Sequence, residues 1–145
     1  DNVRVRVAAL KAVTALSEGM PSNQHAMRAA GACEVVVAIL RAHPGRTVVA
    51  LAGLRAVAAL SDGIVSNQNA LEAVGAYRVV SGVMQAARGR VQPHVTLAGL
   101  EAISSPSRGH LANSMALWQA GACAEVAAVA PAHVPDAGVY VLYSK

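Results

Sequence analysis

The chain has 145 residues, of which 54% are apolar, 14% charged and 3% aromatic, with a net charge of +4. That much apolar side chain excludes an intrinsically disordered chain, and the length suits one domain. Phe is absent, so the interior has to be filled by small and medium side chains on helices that approach closely.

In chain order, Asp1 to Leu10 alternates Arg with Val and lacks the apolar run of a signal peptide or membrane anchor. It reads as part of a long helix ending near Gly19. Ser22 and Asn23 carry side-chain oxygens suited to accepting the free N–H groups at a helix start, which predicts a short helix of about two turns from there. Gly31 breaks it, and "ACEVVVAILRA" follows as a second, apolar helix. Pro44 sits in the turn after it, where a missing N–H is tolerated. A third helix is predicted from about Thr47 to Asp62, with Val49, Gly53, Leu54, Val57, Leu60 and Ser61 at helical spacing on its inner face. Gly53 lets a neighbouring helix come close, at the propensity cost of Gly. The order then recurs: Ser66 and Asn67 at a helix start, Gly75, "AYRVVSGVMQA", Pro93 in a turn, and another long helix, which Pro106 is expected to end or kink. It begins a third time through Gly121 and "ACAEVAAVAPA" toward Pro135. The most apolar stretch, Ala122 to Val134, is interrupted by Glu125 and Pro131 and falls short of the roughly 20 residues that span a bilayer.

This recurrence is an internal repeat. "LKAVTALSEGMPSNQHAMRAAGACEVV" from Leu10 returns as "LRAVAALSDGIVSNQNALEAVGAYRVV" from Leu54, in register at 44 residues. A weaker copy, "LEAISSPSRGHLANSMALWQAGACAEV", starts at Leu100, 46 residues further on. The two added residues fall around Arg88 to Pro93, in a turn, where stacked units tolerate length changes.

A short helix, a Gly break, an apolar second helix and a longer third helix with the pattern "ALxAVxALSxG" resemble the armadillo repeat over essentially the whole chain. The elements most similar to the family are "NQNALEAVGAYRVVSGVMQ" and "AGLRAVAALSDG". HEAT repeats are the near alternative, but they have two helices per unit and lack the Gly-centred break. The resemblance implies an all-α fold, a right-handed α-solenoid of three-helix repeats. Residues 1–145 would form one armadillo-repeat domain: 1–18 the third helix of a preceding repeat, 19–62 and 63–108 two repeats, and 109–145 an incomplete one. On this reading the chain is a segment of a longer array, and units without polar caps expose apolar ends, which makes end-to-end self-association an expected way of covering them.

The resemblance also implies a concave surface lined by the third helices. Family members that read basic peptides carry a Trp and, four residues on, an Asn on each third helix. Here those positions hold Lys11, Arg55 and Glu101, and Ala15, Ala59 and Ser105, so a nuclear-import adaptor is not expected. The outward positions form three rows: Val7, Leu51 and Leu97; Lys11, Arg55 and Glu101; Glu18, Asp62 and Arg108. These nine are the candidate binding residues, for a protein or peptide partner with apolar anchors and an acidic residue near Lys11 and Arg55. The inversion of sign across the rows equally suits ion pairs between helices, Arg55 with Glu101 and Asp62 with Arg108. Trp118 stands where the other copies hold Arg28 and Glu72, either as an exposed contact or as a cover for the weakly apolar third unit.

No nucleophile–base pair, HExxH, phosphate loop or GxSxG motif occurs, and no catalytic residue, cofactor or metal ligand is expected. His25, His43, His94, His110 and His133 lie mostly near helix starts and turns. Cys33 and Cys123 are equivalent positions two repeats apart, roughly 20 Å at ordinary helix spacing, too far for a disulfide; both are expected to be packing residues in a reducing compartment, so the expected location is intracellular and cytoplasmic. The Arg residues are scattered singly and Trp118, Tyr77, Tyr140 and Tyr143 lie far apart, which argues against a nucleic-acid face. The expected function is a non-catalytic protein-binding scaffold. The alternatives are a structural segment of a larger ciliary or cytoskeletal assembly, or a nucleic-acid-binding solenoid; no membrane partner is expected.

Overall fold

A computed structural model describes residues 2–90 and 92–133. All regular structure among them is helical: α1 Val3–Ser17, α2 Pro21–Ala29, α3 Ala32–Ala42, α4 Thr47–Ser61, α5 Val65–Ala73, α6 Ala76–Ala87, a 3₁₀ turn Arg88–Arg90, α7 Pro93–Ser107, α8 Leu111–Gln119 and α9 Ala122–His133. Helices sharing a place in the sequence period pack side by side in three ranks: α1, α4 and α7; α2, α5 and α8; α3, α6 and α9. The 3₁₀ turn absorbs the length change expected around Arg88 to Pro93.

Gly31, Gly75 and Gly121 stand between the first and second helix of each set with φ of +84°, +77° and +90°, a region that residues with a Cβ avoid. At Gly75 the side of the glycine is also occupied. Arg41 Nη2 donates to Val74 O at 2.8 Å, and a Cβ on Gly75 would lie 2.7 Å from that nitrogen.

The inner face predicted for α4 is buried throughout: Val49, Gly53, Leu54, Val57, Leu60 and Ser61. Ala50, Ala52, Ala56 and Ala59 are buried as well, because α4 has neighbours on nearly every side. Gly53 faces Leu40 of α3, and a Cβ there would lie 2.7 Å from Leu40 Cγ. Gly99 of α7 faces Met84 of α6 in the same way, with a Cβ 2.7 Å from Met84 Cγ. Leu54, Val57 and Leu60 are fully enclosed, each contributing about 1.5 to 3 kcal/mol of hydrophobic stabilisation.

A buried helix end leaves four carbonyls without intrahelical donors, and the way α4 meets this corrects one sequence expectation. Asn23 and Asn67 do not cap the starts of α2 and α5, which begin one or two residues earlier, behind Met20 and Ile64, with no side-chain cap. Their amides point back at the preceding long helix. Asn23 Nδ2 donates to Leu16 O at 2.8 Å, Asn67 Nδ2 to Leu60 O at 2.9 Å, and Asn113 Nδ2 to Pro106 O at 3.3 Å. Gln24 Nε2 donates to Ala59 O and Asp62 O, Gln68 Nε2 to Ser61 O, and Ser61 Oγ to Ala58 O. Every carbonyl from Ala58 to Asp62 therefore has a side-chain donor. The amides also link successive first helices, through Asn67 Nδ2 to Gln24 O at 2.9 Å and Asn113 Nδ2 to Gln68 Oε1 at 3.1 Å.

Other departures have local causes. Pro106 neither ends nor visibly shortens α7, which continues to Ser107; in the last turn a proline forfeits a single ladder bond, and its carbonyl still receives Asn113. Pro93 opens α7 as its first residue instead of lying in the turn, where its fixed φ suits the helix. Cys33 is buried but Cys123 is exposed, so the packing role expected of both holds for Cys33 alone. Pro135 and the remainder of the incomplete unit 109–145 beyond residue 133 lie outside the described residues.

Two results are expected in urea unfolding. Asn67→Ala leaves the buried Leu60 carbonyl without its side-chain donor and removes the link to Gln24 O, lowering stability by about 1 to 3 kcal/mol, whereas Asn23→Ala, losing an exposed bond, costs less, no more than about 1.5 kcal/mol. Gly53→Ala is destabilising despite the gain of about 1 kcal/mol in helix propensity, because Leu40 must move. The same change at Gly82, which has open space around it, is stabilising by up to about 1 kcal/mol.

Candidate functional site

The rank α1, α4 and α7 carries a continuous groove. One depression of about 670 Å³ lies across all three helices and is lined by Glu18, Arg55, Asp62, His94, Leu97, Glu101 and Arg108 with small residues between them. A second, of about 320 Å³, lies between α1 and α4 and is lined by Val7, Lys11, Thr14, Ala15, Glu18, Val48, Leu51, Ala52 and Arg55. The two share Thr14, Glu18 and Arg55. All nine residues singled out from the sequence line one or the other.

The helical repeat explains the arrangement. Val7, Lys11 and Glu18 on α1 lie on one stripe, as do Leu51, Arg55 and Asp62 on α4 and Leu97, Glu101 and Arg108 on α7, at spacings of four and seven residues. The opposite stripes hold the core, so these side chains face the open side. Ala15, Ala52, Ala58 and Ala59 line the floor, and their small size keeps it low. In the smaller depression the walls are aliphatic, with Val48 57% exposed, and Lys11 and Arg55 stand at its edge, with Glu18 as the one acidic neighbour.

Val48 and His94 line the groove outside the three rows. They share a register position three residues before Leu51 and Leu97, so the same helical stripe extended by one turn identifies them.

Of the two expected ion pairs one forms. Arg108 Nη2 lies 3.6 Å from Asp62 Oδ1, with both side chains largely in solvent, a contact worth about 0 to 1 kcal/mol. No ion pair joins Arg55 to Glu101 among the described residues; both line the larger depression and are exposed. A stronger pair stands away from the groove, Arg88 Nη2 with Glu125 Oε1 at 2.6 Å, the carboxylate nearly enclosed.

Trp118 lies on α8, outside the groove, and is 63% exposed, so it does not cover the core of the third set. Leu111 and Met115, one face with it at spacings of four and seven residues, are also exposed. Tyr77 is buried, its hydroxyl donating to Gln68 O at 3.0 Å, and offers no surface for base stacking.

Among the described residues no group of three or more His, Cys, Asp or Glu is placed to hold a metal ion, and no helix is long and apolar enough to cross a membrane. Burial pushes the Cys33 thiol up from an ordinary 9.0 to about 11, with the Glu34 carboxylate adding to the effect, so at neutral pH this sulfur is protonated and a poor nucleophile. Burial raises the Tyr77 hydroxyl as well, assisted by Glu72.

No protein-family model, curated protein or solved structure matches the chain.

Because the thiol holds its proton more tightly in the folded state, the unfolded chain releases it first as pH climbs. Its contribution to stability is therefore complete below about pH 9 and is lost between about 9 and 11. Urea unfolding across that range is expected to show stability falling, with a shallower fall in Cys33→Ala. At neutral pH a thiol reagent is expected to modify Cys123 in the native protein and Cys33 only after unfolding.

Proposed function

We propose that the chain is a non-catalytic protein-binding scaffold, an armadillo-type right-handed α-solenoid that holds a partner's extended segment along the α1–α4–α7 groove. The observation that carries this reading is a single groove in which an aliphatic row, Val7, Leu51 and Leu97, runs beside two cations, Lys11 and Arg55. In-register sequence copies and three ranks of helices support the architecture. The two free thiols suit a reducing, intracellular setting.

Geometry narrows the ligand. Packed helices lie about 8 to 10 Å apart, so the aliphatic row has that spacing. A polyproline-type extended segment advances about 3.1 Å per residue with three residues per turn, which brings every third side chain to the same side about 9 Å further on. A segment with an aliphatic residue at every third position can seat one on each helix. An acidic residue beside those anchors meets Lys11 and Arg55 one helical turn along, and a carboxylate held by guanidinium or ammonium hydrogen bonds is worth more than a neutral contact. Lys11 and Arg55 would repel a basic segment.

A labelled peptide of four Leu-Asp-Pro units tests the reading by fluorescence anisotropy. It is expected to bind, its Lys-for-Asp counterpart to bind at least about tenfold more weakly, and Arg55→Glu to reduce affinity for the acidic peptide by about tenfold or more, one charge-assisted contact being worth about 1.5 to 3 kcal/mol. Since Arg55 is exposed, its Tm stays unchanged. Equal affinity of wild type and Arg55→Glu, or no binding of either peptide, overturns the proposal.

A further inference from the structure

Each long helix of the groove carries two opposite charges seven residues apart on its open stripe, and the third helix carries them the other way round. On α1 and α4 the cation comes first, Lys11 before Glu18 and Arg55 before Asp62; on α7 the anion comes first, Glu101 before Arg108. All six are exposed. The row next to the aliphatic anchors therefore reads base, base, acid, and the outer row acid, acid, base. Pairing between neighbouring helices accounts for only one of these inversions. In the outer row Arg108 Nη2 approaches Asp62 Oδ1 at 3.6 Å. In the row next to the anchors Arg55 and Glu101 line the same depression, yet no ion pair joins them among the described residues.

We infer that the groove reads the order of charges along its partner. Resting on the protein-binding reading of the groove, this assigns the partner segment an acidic residue beside the anchors seated on α1 and α4 and a basic residue beside the anchor seated on α7. Lys11, Arg55 and Glu101 each stand four residues after their aliphatic neighbour, Val7, Leu51 and Leu97, one helical turn along the same stripe. The offset from anchor to charge is thus constant, and a segment with a fixed interval between anchors meets all three. Opposite charges attract at each helix, and a like charge there is penalised. A uniform polyanion, such as a nucleic-acid strand, is attracted by Lys11 and Arg55 but repelled by Glu101.

Chain direction is selected as well. In a left-handed threefold segment the residue after each anchor lies to one side of the chain for one direction and to the other side for the reverse. A given sequence therefore turns its charges toward Lys11, Arg55 and Glu101 in one direction only.

Two labelled peptides of one composition, Leu-Asp-Pro-Leu-Asp-Pro-Leu-Lys-Pro and Leu-Lys-Pro-Leu-Asp-Pro-Leu-Asp-Pro, titrated into the full chain at low ionic strength, test this by fluorescence anisotropy. One is expected to bind at least about tenfold more tightly than the other, because exchanging the ends turns attraction into repulsion at both Lys11 and Glu101. Added salt narrows the difference, since these charges are exposed. Glu101→Lys, at an exposed position that leaves the fold intact by circular dichroism, is expected to erase the preference and to make Leu-Asp-Pro repeated three times the tightest of the three peptides. Equal binding of the two orders by wild type, or a preference unchanged in Glu101→Lys, overturns the inference; if Arg55→Glu still weakens both peptides, the groove remains the binding site and only the reading of charge order fails. No binding of any peptide overturns both. Tighter binding of the all-Asp peptide or of an oligothymidylate by wild type than of either mixed peptide also overturns the inference, because the third helix then selects no base.

Discussion

The C-terminal end of α4 is largely buried, and carbonyls there are shielded from water. An unsatisfied buried carbonyl costs about 1 to 3 kcal/mol, and five stand together between Ala58 and Asp62. Side chains from three directions meet them: Gln24 from α2, Asn67 and Gln68 from α5, and Ser61 from α4 itself. Because each donor must come within hydrogen-bonding distance, this requirement fixes where α2 and α5 sit against α4. Asn113 extends the arrangement to α8 through Gln68. Hydrophobic burial supplies most of the stabilisation, but these amides specify the register in which the apolar surfaces meet.

The same requirement accounts for an unusual core. Leu, Val and Ala make up most of it, without Phe, and Tyr77 and Met84 are its larger members. Close approach follows, closest at Gly53 against Leu40 and Gly99 against Met84. Small residues also set the floor of the groove on the opposite side of α1, α4 and α7. Its charged side chains remain hydrated, and the one ion pair across it, Asp62 with Arg108, is exposed and weak. Those charges are therefore available for exchange with a ligand's charges at little cost, whereas the enclosed Arg88–Glu125 pair is not.

Much of this was legible in the sequence because it depends on neighbours along the chain. The glycines at 31, 75 and 121 mark turns whose backbone only glycine adopts readily, and the inner face of α4 follows from the 3.6-residue period. The three outward rows followed from the same period combined with the 44- and 46-residue registers, and every one of their residues lines the groove. Val48 and His94 were within reach of the same argument but lay one turn beyond where the rows were drawn.

What the chain's own order could not supply were the partners chosen in space. Asn at the start of a short helix suits a cap on its own N-terminus, and only the tertiary arrangement shows it turned toward the carbonyls at the end of the preceding helix. Cys33 and Cys123 are equivalent in sequence yet differ in exposure, since burial depends on what stands opposite. Arg55 and Glu101 have complementary charges but the open groove between them, while Asp62 and Arg108 meet. Local backbone preference and periodicity are properties of contiguous residues, and so sequence alone carries the helices and their faces. Hydrogen-bond satisfaction, close approach and charge pairing are properties of distances between helices, which exist only once the chain has folded.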